Sequence, residues 1–111
     1  MMIAARRSLD ISRQAAREIL AQAIYYRQRT LNNQLSLRWQ QAVTRAIDSL
    51  LRSPERGSLC QFQSSRLRGM RRLAVKGFPD HAIYYFVSRN DPEIYIARVV
   101  HGARDLENLL A

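Results

Sequence analysis

Two stretches in the first half of the chain carry apolar residues at helical spacing. The first runs over residues 12–29 and has apolar positions three or four residues apart, at Ala15, Ile19, Ala23 and Tyr26. Ser12 is suited to cap this helix, because its hydroxyl can accept from a free amide of the first turn. The second stripe runs over residues 35–51 and is the cleaner of the two. With Asn32 and Asn33 as a break between them, the pattern predicts two antiparallel helices joined by a short loop.

The hydrophobic period changes after Pro54 and Gly57, which end the second helix. Three short segments rich in β-branched and aromatic residues follow, over residues 70–75, 81–88 and 94–100, with turn-forming runs at 77–80 and 90–93 between them. Such short connections predict an antiparallel meander. A further strand is predicted within residues 2–11. The order is then βααβββ, an α+β fold in which a helical hairpin packs on one face of a small antiparallel sheet.

Composition indicates one packed domain with an anionic partner. The 111 residues are 47% apolar, enough for a single core over residues 1–111. Arginine and lysine number 18 against nine acidic residues, for a net charge of +9, and Lys76 is the single lysine. Arginine presents a planar fork that suits phosphates and carboxylates, so nucleic acid or an acidic protein segment is the expected partner. The alternative is that the arginines only keep the surface soluble.

Cysteine, histidine and the N-terminus carry no signal for metal, cofactor or export. Cys60 is the single cysteine, and His81 and His101 lie far from it and from each other in sequence, so neither a disulfide nor a zinc site is predicted, and no cofactor. The apolar run before Arg6 and Arg7 is too short for the core of a signal peptide. No stretch is long enough to span a membrane. The sequence predicts a cytoplasmic protein.

The densest basic cluster lies at the first strand of the meander. It contains no acidic residue and consists of Arg66, Arg68, Arg71, Arg72 and Lys76. In a strand, Arg72 and Lys76 share a face, whereas Arg71 shares the other face with Leu73. One arginine therefore lies near the apolar face and needs a partner there. The cluster is either an anion-binding surface or a solvated outer face.

A second candidate site follows the last predicted strand. Arg98, His101 and Arg104 lie close together, and Asp105 could tether an arginine. Such a set could serve attack on a phosphodiester, with histidine moving a proton and arginines neutralising the transition state. In the competing interpretation, His101 hydrogen-bonds the backbone where the strand ends. Tyr84 and Tyr85 alternate in one strand, so one is predicted in the core and the other at the surface.

Several short motifs occur in order along nearly the whole chain. They are Ser12-x-x-Ala15-x-x-Glu18-Ile19, Pro54-Glu55-x-Gly57, Arg71-Arg72-x-x-x-Lys76-Gly77-Phe78, Ile83-Tyr84-Tyr85 and the run over residues 98–106. In these motifs the chain resembles the ParE toxins of bacterial type II toxin–antitoxin modules, within the RelE/ParE superfamily. The terminal run is the most specific. The chain departs from many ParE-like sequences at Phe86, where an arginine commonly follows the strand tyrosine.

The resemblance implies the predicted fold, growth inhibition and plasmid stabilisation. It also implies a cognate ParD-like antitoxin in a hetero-oligomer, which contacts operator DNA, and DNA gyrase as the target of a non-enzymatic toxin. On this basis the functional surface is predicted at Arg71, Arg72, Lys76, Tyr85, Arg98, His101 and Arg104. The alternative implied by the superfamily's RelE-like branch is a ribosome-dependent mRNA endoribonuclease, with His101, Tyr85, Arg72 and Arg98 as catalytic residues. A third is an inactive module that binds only the antitoxin.

Overall fold

The computed structural model describes residues 8–30, 33–89, 93–102 and 106–110. The elements in chain order are β1 (Ser8–Ile11), α1 (Arg13–Arg29), α2 (Gln34–Arg52), β2 (Ser58–Leu59), a 3-10 turn (Ser65–Leu67), β3 (Arg71–Val75), β4 (Phe78–Val87), β5 (Glu93–His101) and α3 (Leu106–Leu110). The predicted βααβββ order is confirmed. The structure adds the two-residue strand β2 and the short helix α3.

The helical hairpin forms as the sequence predicts and is tied together by side chains. Ser12 caps α1, because its hydroxyl accepts from the Ala15 N–H at 2.9 Å. The same hydroxyl donates to the Ala97 carbonyl of β5 at 2.7 Å. Ser36 and Trp39 of α2 donate to carbonyl oxygens of α1, at 2.8 and 3.0 Å respectively. These bonds fix α2 against α1 and the start of α1 against the sheet.

The sheet is mixed, in the order β1-β5-β4-β3-β2. The meander β3-β4-β5 is antiparallel as predicted, but β1 pairs with β5 in parallel, so the prediction of a purely antiparallel sheet is wrong at this edge. The physical reason is the helical hairpin, because a long crossover after β1 allows parallel pairing. The turn between β3 and β4 is also shorter than predicted. Gly77 adopts a φ of +87°, which closes the turn early and lets Phe78 pair with Val75.

Both faces of the sheet are covered. The main core lies between the hairpin and the sheet and contains Trp39, Leu50, Ile83, Tyr85 and Ile96. A second apolar cluster on the other face contains Leu67, Met70, Ala82, Tyr84 and Val100. Tyr84 and Tyr85 are 1% and 0% exposed, so the prediction that one of them reaches the surface is wrong. The segment around Leu67 and the helix of Leu110 cover the face that the sequence left open.

None of the helices in the described part of the chain combines the length and the apolar character that crossing a membrane requires.

Candidate functional site

Arg71 and Tyr85 hold the loop that follows α2. The Tyr85 hydroxyl donates to the Pro54 carbonyl and accepts from the Gly57 N–H, both at 2.8 Å. Arg71 Nη1 donates to the carbonyls of Glu55 and Gly57, at 3.1 and 2.6 Å. We call these five residues the loop clamp. The predicted arginine near the apolar face therefore has its partners in two main-chain carbonyls.

Gly57 and Tyr85 are closely packed within the loop clamp. A Cβ added at Gly57 would lie 2.6 Å from the Tyr85 hydroxyl oxygen and 2.8 Å from the Arg72 carbonyl oxygen, so a larger residue does not fit. Burial raises the pKa of the Tyr85 phenol, although the Gly57 N–H and the Arg71 charge act in the opposite direction. Tyr85 is thus a neutral, enclosed group that orders a loop.

Arg98 is engaged by Glu18 of α1. The Glu18 carboxylate accepts from Arg98 Nε at 2.9 Å, from Nη2 at 2.6 Å, and from the Val99 N–H at 2.9 Å. Arg98 Nη1 also donates to the Leu109 carbonyl of α3 at 3.0 Å. The two charged side chains are only 18% and 15% exposed. Arg98 therefore links α1, β5 and α3, and its capacity to bind an external anion is largely used.

A β-bulge brings Arg98 to this position. Tyr85 lies opposite Ile96 and Tyr84 opposite Arg98, so Ala97 is an extra residue in β5. Bulges re-aim the side chains that follow them. The predicted tether, Asp105, lies outside the described residues. This role was not predicted for Glu18 from the sequence. A signal was present, since Glu18 is the one acidic residue within α1.

His101 lies opposite His81 in the β4–β5 ladder, with ring centroids 4.8 Å apart. His101 is exposed, whereas His81 is 5% exposed and packs 4.6 Å from the ring of Trp39. Burial and then the proximity of His101 lower the pKa of His81, against a smaller opposite effect of Asp80. The two histidines lie 20 residues apart in the sequence, and the register of β4 with β5 brings them together. Where β5 ends, the Gly102 N–H donates to the Asp80 carbonyl.

The remaining predicted residues are dispersed. Arg72 is half-buried on the face away from the hairpin, close enough to lower the pKa of the Cys60 thiol, which burial raises by more. Lys76 is exposed at the end of β3. Arg104 lies outside the described residues. Among the described members of the predicted set, the structure brings Arg71 together with Tyr85 and Arg98 together with His101, but it does not gather them all into one surface.

A larger basic feature lies between α2 and β3. We call it the basic groove: a cleft of about 770 Å³ with an apolar floor that includes Leu35, Ala42, Leu73 and Phe78 and with cations at Arg38, Arg45, Arg52, Arg56 and Lys76. Among the described residues that line it, Asp48 is the acidic one. The α2 arginines are seven residues apart, about 10.5 Å of helix, and so lie on one side of α2. These arginines are not among the predicted site residues, although their heptad spacing is visible in the sequence.

Comparisons with known proteins agree with this architecture. One solved structure, the chromosomal ParDE toxin–antitoxin system from P. aeruginosa, is similar with a TM-score of 0.69 and 19% identity, covering 88% of this chain and 98% of that one. A second, the toxin–antitoxin complex RelBE2 from Mycobacterium tuberculosis, has a TM-score of 0.59 and 17% identity, covering 89% and 94%. A comparison with curated protein sequences gives no match.

At these identities, the two structures establish the likeness of fold. The sequence itself matches the family model of the ParE toxin of the type II toxin-antitoxin system parDE, over residues 9–106. The match spans β1 to the start of α3 and includes both the loop clamp and the Glu18–Arg98 pair. The chain belongs to the ParE toxin family of type II toxin–antitoxin systems.

Proposed function

We propose that this toxin acts by binding, as an inhibitor of DNA gyrase that a ParD-like antitoxin neutralises. The observation that carries the proposal is the engagement of Tyr85, whose hydroxyl is held between Pro54 and Gly57 inside the loop clamp. A proton-transfer group has to reach the atom on which it acts. Tyr85 is 0% exposed and is thus unsuited to that task.

The spacing of the candidate catalytic residues points the same way. His101 lies opposite His81, and Tyr85 is four residues further along β4, about 13 Å away at 3.3 Å per residue. Nuclease chemistry of the RelE type would need these two groups around one phosphate. Arg98 is meanwhile paired with Glu18. This arrangement favours a toxin that recognises its target through its surface.

The basic groove is the surface that we assign to recognition. Its five cations outnumber its single carboxylate, and its floor is apolar. An acidic amphipathic segment matches both properties, because its carboxylates meet the arginines and its apolar side chains meet the floor. The solved relatives are a ParDE system and a RelBE2 complex, which supports an antitoxin as one such partner for this chain.

Supercoiling of relaxed plasmid by purified gyrase tests the proposal. The toxin should inhibit it, and added antitoxin should restore it. The variant Arg45→Glu removes a groove cation and should weaken antitoxin binding measured by calorimetry, whereas Arg27→Glu, an exposed arginine of α1 outside the groove, should not. Full supercoiling at toxin concentrations that arrest growth would refute gyrase as the target.

One observation favours the ribonuclease alternative. Arg98 and His101 line the same cleft beside α1, together with Glu18. An arginine and a histidine in one cleft are the minimum for attack on a phosphodiester. Codon-phased cuts in translated mRNA, abolished by His101→Ala, would establish this alternative. Unaffected growth on expression without antitoxin would leave only an inactive antitoxin-binding module.

A further inference from the structure

His81 and His101 form a pair that the toxin's proposed binding function does not use. They lie opposite each other near the end of the β4–β5 ladder, one buried and one exposed. Within the described part of the chain, His81 Nε2 is buried and has no hydrogen-bond partner. Buried polar atoms are nearly always satisfied, so an orphan nitrogen beside a second imidazole calls for a ligand.

We propose that His81 and His101 together bind a divalent transition-metal ion of the Zn²⁺ or Ni²⁺ type. Imidazole nitrogen is a preferred ligand of these borderline ions. The donor set of two nitrogens without thiolate or carboxylate separates this class of ion from Mg²⁺ and Ca²⁺, which take oxygen ligands.

The separation of the rings fits this assignment. An imidazole nitrogen binds Zn²⁺ at about 2.0–2.1 Å, so a ring centre lies about 3.1 Å from the metal. Two rings at N–metal–N angles of about 90–109° then have centres about 4.4–5.1 Å apart. The His81 and His101 centroids are 4.8 Å apart. The separation of the two ring centroids therefore matches that of two imidazoles that share one ion.

The surroundings give an ion a route and open coordination positions. Two clefts, of about 520 and 430 Å³, meet at the histidine pair, and both are lined by Gln22 and Tyr25 of α1. Asp80 lines the first cleft and adds negative charge, while Glu18 offsets the charge of Arg98 in the second. The described residues hold no group of three histidine, cysteine or acidic side chains near enough to share an ion. Water or a donor from a partner protein would complete the shell.

Trp39 provides a built-in probe of occupancy. It is the single tryptophan of the chain, and its ring lies 4.6 Å from that of His81. Titration of the tag-free chain with Ni²⁺, which is paramagnetic, should quench Trp39 fluorescence saturably with one ion per chain. Zn²⁺ should displace the Ni²⁺ and reverse the quenching.

Two variants test whether the histidines are the ligands. His101 is exposed, so His101→Ala should fold normally, which circular dichroism can verify. Loss of a residue that only supports a metal ligand weakens metal binding about 10- to 100-fold, and loss of the ligand His101 should weaken Ni²⁺ binding at least as much. The matched control is Cys60→Ser, which removes the single cysteine and should leave binding unchanged. On addition of Zn²⁺, ring nitrogen resonances of both histidines should shift.

Three results would overturn the proposal. The first is quenching that does not saturate below about 1 mM Ni²⁺, the concentration scale of nonspecific contacts. The second is His101→Ala binding with the parent's affinity, or Cys60→Ser binding with less. The third is a shift confined to His101, which would show that the buried His81 takes no part.

Discussion

Replacing Tyr85 with phenylalanine separates a structural tyrosine from a catalytic one. Tyr85→Phe removes one oxygen and leaves the ring in the core, where the parent residue is 0% exposed. The buried Gly57 N–H then loses its acceptor, which costs about 1–3 kcal/mol, and the Pro54 carbonyl loses a donor, which costs about 0.5–1.5 kcal/mol. We expect a total loss of about 2–4 kcal/mol of unfolding free energy.

Thermal unfolding measures this loss directly. A domain of this size loses about 4 °C in Tm per kcal/mol, so Tyr85→Phe should lower the Tm by about 8–16 °C. Tyr95→Phe is the matched control, because it makes the same change at a residue of β5 that is 39% exposed. That surface change should stay within about 0.5 kcal/mol.

The opposite outcome would refute the reasoning. If Tyr85→Phe melts like Tyr95→Phe and yet abolishes mRNA cleavage or toxicity, the hydroxyl acts on a substrate and the loop clamp is not its role. A large Tm loss, with toxicity falling only in proportion to the folded fraction, is the result that we expect.

Three further outcomes follow from the same contacts. In a double-mutant cycle measured by urea unfolding, Glu18→Ala and Arg98→Ala should couple by about 1–3 kcal/mol, since the bidentate pair is mostly buried; strict additivity would contradict this. Gly57→Ala should lower the free energy of unfolding by more than Gly69→Ala does. A Cβ at position 69 meets open space, so Gly69→Ala costs only what its φ of +84° requires, about 1–2 kcal/mol. Folding lowers the pKa of His81, so near pH 6.5 and just below it the unfolded chain binds more protons than the folded chain, and stability falls on acidification. With EDTA present, the Tm of His81→Phe should therefore fall less between about pH 7.5 and 5.5 than the Tm of the parent.

Features fixed by nearby residues were predictable from the sequence. Ser12 caps α1 because capping needs only a hydroxyl three residues from a free amide, and the apolar stripe of α2 shows which side meets the core. Strand period likewise located the meander. These signals are local, and no distant part of the chain overrides them.

Features that depend on distant contacts were not predictable. Glu18 and Arg98 are 80 residues apart, and their pairing depends on the bulge at Ala97, which has no mark in the sequence. Tyr84 is buried because a second layer covers its face of the sheet. Local alternation states that two tyrosines point to opposite faces, but it does not state which faces are covered.

The parallel pairing of β1 with β5 has a consequence for biosynthesis. Strand β1 is at the edge of the sheet, and its neighbour β5 begins at Glu93. Ser8 therefore pairs with a residue that is synthesised 85 positions later. This edge cannot be completed before β5 has left the ribosome, and closing so long a loop slows folding. The finished sheet therefore forms only after β5 has been synthesised, which leaves an interval in which an antitoxin present nearby can meet the chain before its sheet is complete.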